Sequence, residues 1–182
     1  MTGAAGCASR TEAGAKASAG GPAAVNIIVR ISDQKLFLIE NGKVVRQYPV
    51  STSKFGIGSQ AGSFKTPLGR HRVAEKIGRG APLYTIFKER VNTRKLAVID
   101  RTLKGAPYDD VTTRILWLEG LEPGVNRGAG IDSKERFIYI HGTPSEGLIG
   151  RPASNGCVRM YNEDVIELFD RVPEGTPVLI QK

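Results

Sequence analysis

The chain has 182 residues, 40% of them apolar, with 26 Lys and Arg against 18 Asp and Glu for a formal net charge of +8. That length and apolar content suit one domain with a sizeable core, and no run approaches the roughly 20 apolar residues of a membrane span, so the chain as given is expected to be soluble. Two cysteines cannot build a disulfide framework, and with only two histidines beside them they make a poor zinc set; no metal and no other cofactor is expected.

Residues 1–22 are rich in Ala, Gly and Ser without apolar periodicity and read as a disordered leader ahead of a domain over 23–182. The leader lacks the charged start and apolar run of a signal peptide. Ala5-Gly6-Cys7 looks like the end of a lipoprotein signal, in which case Cys7 would carry a lipid and bring the protein to a membrane. An incidental cysteine in a tail explains it equally well. From Val25 the pattern becomes strand-like: Asn26–Ile31, Lys35–Glu40 and Lys43–Val50, the last two joined by Asn41-Gly42. An Asn-Gly pair between β-branched runs is the strongest short hairpin signal.

Gly56-Ile57-Gly58-Ser59-Gln60-Ala61 superficially fits a dinucleotide fingerprint, but Gly62 and Pro67 fall where its helix would have to run. Gly62-Ser63-Phe64-Lys65-Thr66 lacks the Gly-Lys-Ser/Thr core of a phosphate loop. Both read as turns. Between Lys65 and Lys104 lie eleven Lys and Arg but three Asp and Glu, while the rest of the chain is balanced. Such a stretch is either a solvated face or a surface for an anionic polymer. Nucleic acid is not expected, because no aromatic residues are interleaved with the basic ones in the way a binding groove needs. His71, between Arg70 and Arg72, reads as a solvated strand end outside the chemistry, and Trp117 as core or pocket wall. Further strands are expected at Gly69–Ile77, Arg114–Leu118, Arg136–His141 and Pro177–Gln181. Val165, Ile166, Leu168, Phe169 and Val172 follow helical spacing, Glu163 and Asp164 lead them, and Pro173-Glu174-Gly175 ends them. Many strands, one clear helix and Gly/Pro turns suggest a mostly β sandwich or barrel-like domain.

A lone cysteine is most often a small buried hydrophobe. Three features favour a nucleophile at Cys157. Gly156 lets the chain bend and clears the approach to sulfur. The following acid-led helix puts Cys157 in a loop or short helical turn whose amides point outward, where they would lower a thiol pKa and hold an oxyanion. His141, at the end of an apolar strand, is placed to aim its ring into a cleft.

His141-Gly142-Thr143 followed by Ser154-Asn155-Gly156-Cys157-Val158-Arg159-Met160 closely resembles the L,D-transpeptidase catalytic (YkuD-type) family, whose signature is His-Gly-Thr, a loop, then Ser-x-Gly-Cys-(Ile or Val)-Arg-Met. The likeness continues through Asn162–Leu168 and Val172–Val178, and Thr66-Pro67-Leu68-Gly69 resembles the family's Thr-Pro-x-Gly turn. It is weak from Arg70 to Glu135, and Asn155 stands where His or Lys is common. The resemblance implies a β-rich sandwich with a short capping helix, and a cysteine transpeptidase acting on peptidoglycan stem peptides. It implies Cys157 as nucleophile, His141 as base, the Gly142 carbonyl as the partner orienting His141, and Arg159, Ser154, Asn155 and Thr143 around the substrate. The amides of Gly156 and Cys157 are the candidate oxyanion hole, and a carbapenem is the expected covalent inhibitor. Such work places the protein in the periplasm or cell envelope, so an export signal is expected although the chain as given shows none. A Cys–His peptidase and an idle wall-binding module are the alternatives. Papain-like families put cysteine before histidine, sortase-like ones put threonine directly before the cysteine, and the complete motif argues against the idle module.

Overall fold

A computed structural model describes residues 1–2 and 24–182; apart from Met1 and Thr2, the expected leader, Cys7 included, lies outside the described residues. Ten strands run in chain order as β1 Val25–Arg30, β2 Lys35–Glu40, β3 Lys43–Ser51, β4 Gly69–Ile77, β5 Thr85–Lys88, β6 Val91–Leu96, β7 Val111–Gly120, β8 Tyr139–Gly142, β9 Val158–Met160 and β10 Pro177–Gln181, with one α-helix among the described residues, α1 Asn162–Arg171, between β9 and β10. The strands form one sheet in the order β4-β10-β1-β2-β3-β9-β8-β7-β5-β6, and a further pairing of β4 with β7 closes it. The result is a barrel-like sheet of eight strands, with the β5–β6 hairpin attached beside β7.

Side chains alternate between the faces of a strand, so the register decides what the barrel encloses. Ile27 lies opposite both Val178 and Leu38, Leu36 opposite Tyr48, Val50 opposite Met160, Ile140 opposite Val158 and Leu116 opposite Ile140. All are buried, and they form one continuous core to which α1 adds Val165, Leu168 and Phe169. Each fully buried side chain of this size stabilises the fold by about 1.5–3 kcal/mol relative to exposure. A second, smaller cluster of Phe87, Ile115 and Tyr139 occupies the other face of β7 and β8, with Trp117 and Cys157 packed against it.

The hairpin turn at Asn41-Gly42 has φ of 51° and 76°, the left-handed pair that matches strand twist. β4 and β10 keep their expected bounds. The strand expected over Arg136–His141 begins at Tyr139, because the amides of Arg136, Phe137 and Ile138 bond to the carbonyls of Asp132, Lys134 and Ser133, and Phe137 takes a φ of 56°. β5, β6 and β9 had no sequence-level expectation. Cys157 sits in a bend that leads directly into β9, so the alternative of a short helical turn is excluded. Among the described residues no helix is long and apolar enough to cross a membrane.

β7 carries an irregularity beside β8: Thr112 pairs with Gly142 but Ile115 pairs with His141. Thr113 there has a φ of 68°. Two consecutive strand residues would ordinarily face opposite ways, yet here both threonine hydroxyls donate at 2.6 Å to Oδ1 of Asn162, the first residue of α1. Asn162 Nδ2 in turn donates to the Thr143 carbonyl and to Glu146 Oε1, each at 2.8 Å. This buried, fully bonded side chain ties helix, bulge and the turn after β8 together. Asn162→Ala strands several polar groups at once and is expected to lower the unfolding free energy by about 3 kcal/mol in a urea titration; a loss below about 0.5 kcal/mol would assign the tie to other contacts.

Candidate active site

In the parallel β8–β9 pair, His141 lies opposite Arg159 while Ile140 and Val158 turn into the barrel. Tyr139 and His141 share the outer face of β8, and Cys157, one residue before β9, falls in phase with Arg159. Cys157, His141, Tyr139, Arg159, Asn155, Asp109 and Val111 together line a small cavity of about 90 Å³. The turn at Gly156 is specific to glycine, with a φ of 121°. Its carbonyl accepts from Thr66 Oγ1 at 2.9 Å, so the Thr66–Gly69 turn buttresses the cysteine loop from 90 residues away in sequence.

The His141 ring is buried, and its Nδ1 lies 2.6 Å from the Gly142 carbonyl. Since a carbonyl only accepts, Nδ1 carries the proton and Nε2 keeps its lone pair. Gly142 has no room for a side chain, because a Cβ there would lie 2.8 Å from the Thr112 carbonyl and closer still to Asn162 Oδ1. The Cys157 thiol donates to the Phe137 carbonyl at 3.3 Å, and the Tyr139 amide points at its sulfur at 3.4 Å.

Burial and the neighbouring Arg159 guanidinium hold His141 well below the usual histidine range. Burial also pushes the Cys157 thiol up to about 11, against the lowering pull of the Tyr139 amide and of Arg159 and Arg136. The expected depression of the thiol pKa is therefore corrected: desolvation outweighs amides and cations, and the resting pair is neutral thiol and neutral imidazole. The expectation for the Gly156 amide is corrected as well, because it donates to Ser154 Oγ at 3.2 Å inside the loop instead of facing the cleft. The Tyr139 amide, which sequence reasoning missed, is the one aimed at sulfur; no sequence signal was available, because strand alternation fixes where side chains point and not where a backbone amide does.

The four residues expected around the substrate separate into two pairs. Asn155 is exposed at the cavity, and Arg159, though buried, points a guanidinium nitrogen toward it. Ser154 and Thr143 are buried, with the Ser154 hydroxyl donating to the Cys157 carbonyl at 2.6 Å and the Thr143 hydroxyl accepting from the Ser145 amide at 3.1 Å. Those two hydroxyls shape loops and are removed from the substrate surface. His71 is also corrected. It lies two residues before Val73 on the inward face of β4, is 1% exposed, and bonds the Gly69 carbonyl at 3.0 Å and Ser133 Oγ at 2.9 Å. Burial, rather than flanking arginines, brings its pKa down to about 4. Trp117 forms part of the outer wall, with Arg90 4.7 Å above its ring. The basic stretch is partly neutralised in space: Arg70, Arg72, Lys88 and Arg101 pair with Glu122, Glu119, Asp110 and Glu146, all from outside it.

A profile of the L,D-transpeptidase catalytic domain, YkuD, matches residues 24–180. The chain belongs to that family. Two Bacillus subtilis relatives are similar to this L,D-transpeptidase-family chain over short stretches: YqjB is 45% identical over 69 residues, covering 35% of this chain and 39% of YqjB, and YkuD is 54% identical over 61 residues, covering 33% and 37%. The matches thus span about two fifths of those relatives. Solved structures share the fold: an L,D-transpeptidase from Mycobacterium smegmatis (TM-score 0.52, 21% identity, 88% of this chain and 59% of that one) and L,D-transpeptidase 3 from Mycobacterium tuberculosis with a faropenem-derived adduct (TM-score 0.54, 18% identity, 88% and 61%). Another L,D-transpeptidase of the same fold is known in complex with imipenem (TM-score 0.53, 18% identity, 87% and 59%).

The raised thiol pKa sets a pH dependence. A thiol reacts as thiolate, so a group titrating near 11 gains reactive fraction about tenfold per pH unit through the neutral and mildly alkaline range. In a Cys7→Ala background, alkylation of Cys157 by iodoacetamide is expected to keep rising from about pH 7 to about pH 10; a plateau reached below about pH 7 would show a pre-formed thiolate–imidazolium pair instead.

Proposed function

We propose that this domain is a cysteine-dependent peptidoglycan L,D-transpeptidase working in the periplasm or cell envelope. The observation that carries the reading is the joint placement of Cys157 and His141 on one cavity, with His141 Nδ1 committed to the Gly142 carbonyl and Nε2 left as a base. The donor is a tetrapeptide stem whose scissile bond joins the L-centre of a diamino acid to a terminal D-alanine. His141 Nε2 takes the thiol proton as sulfur attacks the carbonyl carbon. With both groups neutral at rest, transfer and attack occur together, so no buried ion pair has to persist beforehand. The oxyanion is met by the Cys157 amide, and the Tyr139 amide stabilises developing charge on sulfur. When the tetrahedral adduct collapses, the C–N bond breaks, the departing D-alanine amine receives the proton from His141, and a thioester remains on Cys157.

An acceptor amine then attacks the thioester carbonyl and gives its proton to His141. The C–S bond breaks, the Cys157 sulfur takes that proton back from His141, and the product leaves as a crosslinked stem or an anchored protein, while water in place of the amine gives a carboxypeptidase. Arg159 and Asn155 are the polar side chains that meet a substrate carboxylate. Cys157→Ala is expected to abolish D-alanine release from a purified disaccharide-tetrapeptide, followed by mass spectrometry of the products, and Cys7→Ala to leave it unchanged. Retained release in the Cys157 variant would refute the mechanism. The strained lactam of a carbapenem presents the same carbonyl to the same sulfur, so imipenem is expected to add once by intact mass, and not at all to the Cys157→Ala variant. An adduct that persists in that variant would place the nucleophile elsewhere.

A further inference from the structure

Asp109 belongs to none of the motifs, yet its carboxylate lies on the polar edge of the cavity. One oxygen, Oδ2, is 2.5 Å from the Arg159 guanidinium and 2.7 Å from Asn155 Nδ2. These are the two side chains assigned above to a substrate carboxylate. The Arg159 side chain is 6% exposed whereas that of Asp109 is 40% exposed, so the cation is built into the protein and the anion sits on the solvent side of it. Arg159 is otherwise held by the Ala153 carbonyl at 3.2 Å, which supplies no charge. The neighbouring Asp110 is turned away onto Lys88.

We propose that Asp109 is an internal carboxylate occupying the anion subsite formed by Arg159 and Asn155, and that a carboxylate of the ligand takes its place. The subsite stands on geometry alone; only the identity of the ligand as a stem peptide rests on the transpeptidase reading. A buried guanidinium left unpaired is costly, which gives the empty site a reason to hold its own anion. The element carrying Asp109 is suited to release it. Residues 97–110 contain no helix or strand, Val98, Leu103 and Tyr108 stand 89%, 66% and 70% exposed, and an apolar hollow of about 670 Å³ lined by Ile86, Leu96, Ile99, Pro107, Tyr108 and Pro144 lies against the segment. Lifting Asp109 therefore disturbs little packed core. An internal competitor lowers apparent affinity by the fraction of molecules in which it is displaced. Asp109 thus acts against carboxylate ligands alone: a ligand with a carboxylate has to displace it to reach Arg159, and a neutral ligand leaves it in place.

The test uses protection of Cys157 from iodoacetamide in the Cys7→Ala chain, with N-acetyl-D-alanine and its neutral amide as probes. Asp109→Asn keeps the size and an acceptor oxygen but removes the competing charge. It is expected to lower the half-protecting concentration of the acid about fivefold while leaving that of the amide unchanged. The half-protecting concentration is read within each protein, so a changed intrinsic alkylation rate does not enter. Asp109→Ser, shorter and uncharged, is expected to act the same way and serves if the asparagine variant does not fold. An acid value that is unchanged or raised, an equal gain for the amide, or no protection of any variant would overturn the proposal. D-alanine release from a tetrapeptide by the unsubstituted chain is scored separately: its absence alongside an acid-selective gain would refute the transpeptidase reading and leave the subsite standing.

Discussion

The parallel pairing of β8 with β9 is the constraint from which the rest of the site follows. Ile140 and Val158 face each other into the barrel, so their neighbours His141 and Arg159 have to face outward together, and Cys157 enters the same side one residue before the strand. A one-residue slip of β9 would turn Cys157 and Arg159 into the core and expose Val158 and Met160. The many apolar contacts on the inner face hold this register far more firmly than any contact in the cavity could. The barrel therefore positions the side chains of the cavity by keeping its own core filled. Around that pair the support is polar and local: Thr66 holds the Gly156 carbonyl, and Asn162 holds the turn after His141.

The electrostatics of the cavity follow from the same placement. Side chains on the outer face of a barrel are ordinarily wet, but here His141 shares a small cavity with Cys157 and Asp109 and is 2% exposed. Removing water penalises the charged forms of both imidazole and thiol, and the single nearby ion pair, Arg159 with Asp109, contributes opposing fields of similar origin.

Much of the fold was legible because its signals are local. Asn41-Gly42 requires two left-handed residues in a row and only a tight hairpin uses them; the helix over 162–171 is written in apolar spacing and in the Pro173 that stops it. The β5–β6 hairpin was not legible. Five of the six residues of β6 are exposed on an edge strand, so no alternation marks them. Arg136 to Ile138 look like strand in composition, yet backbone bonds to Asp132, Lys134 and Ser133 win locally. His71 illustrates a third kind of miss, since its flanking arginines suggested solvent while the period-two phase set by Val73 put it inside.

The sequence by itself determined the family and set Cys157, His141 and the loop glycine in one short-range motif, because residue types at short spacings survive any uncertainty in topology. It also determined which strands carry an inward apolar phase. Only the tertiary structure decided how those groups are charged and what they touch. The pKa values of Cys157 and His141 are set by how completely distant segments exclude water. The loss of the Gly156 amide to Ser154 and the aim of the Tyr139 amide depend on backbone angles that no residue pattern encodes. Asp109 meets Asn155 from 46 positions away, through a segment without periodicity, and proximity of that kind exists only once the barrel has closed.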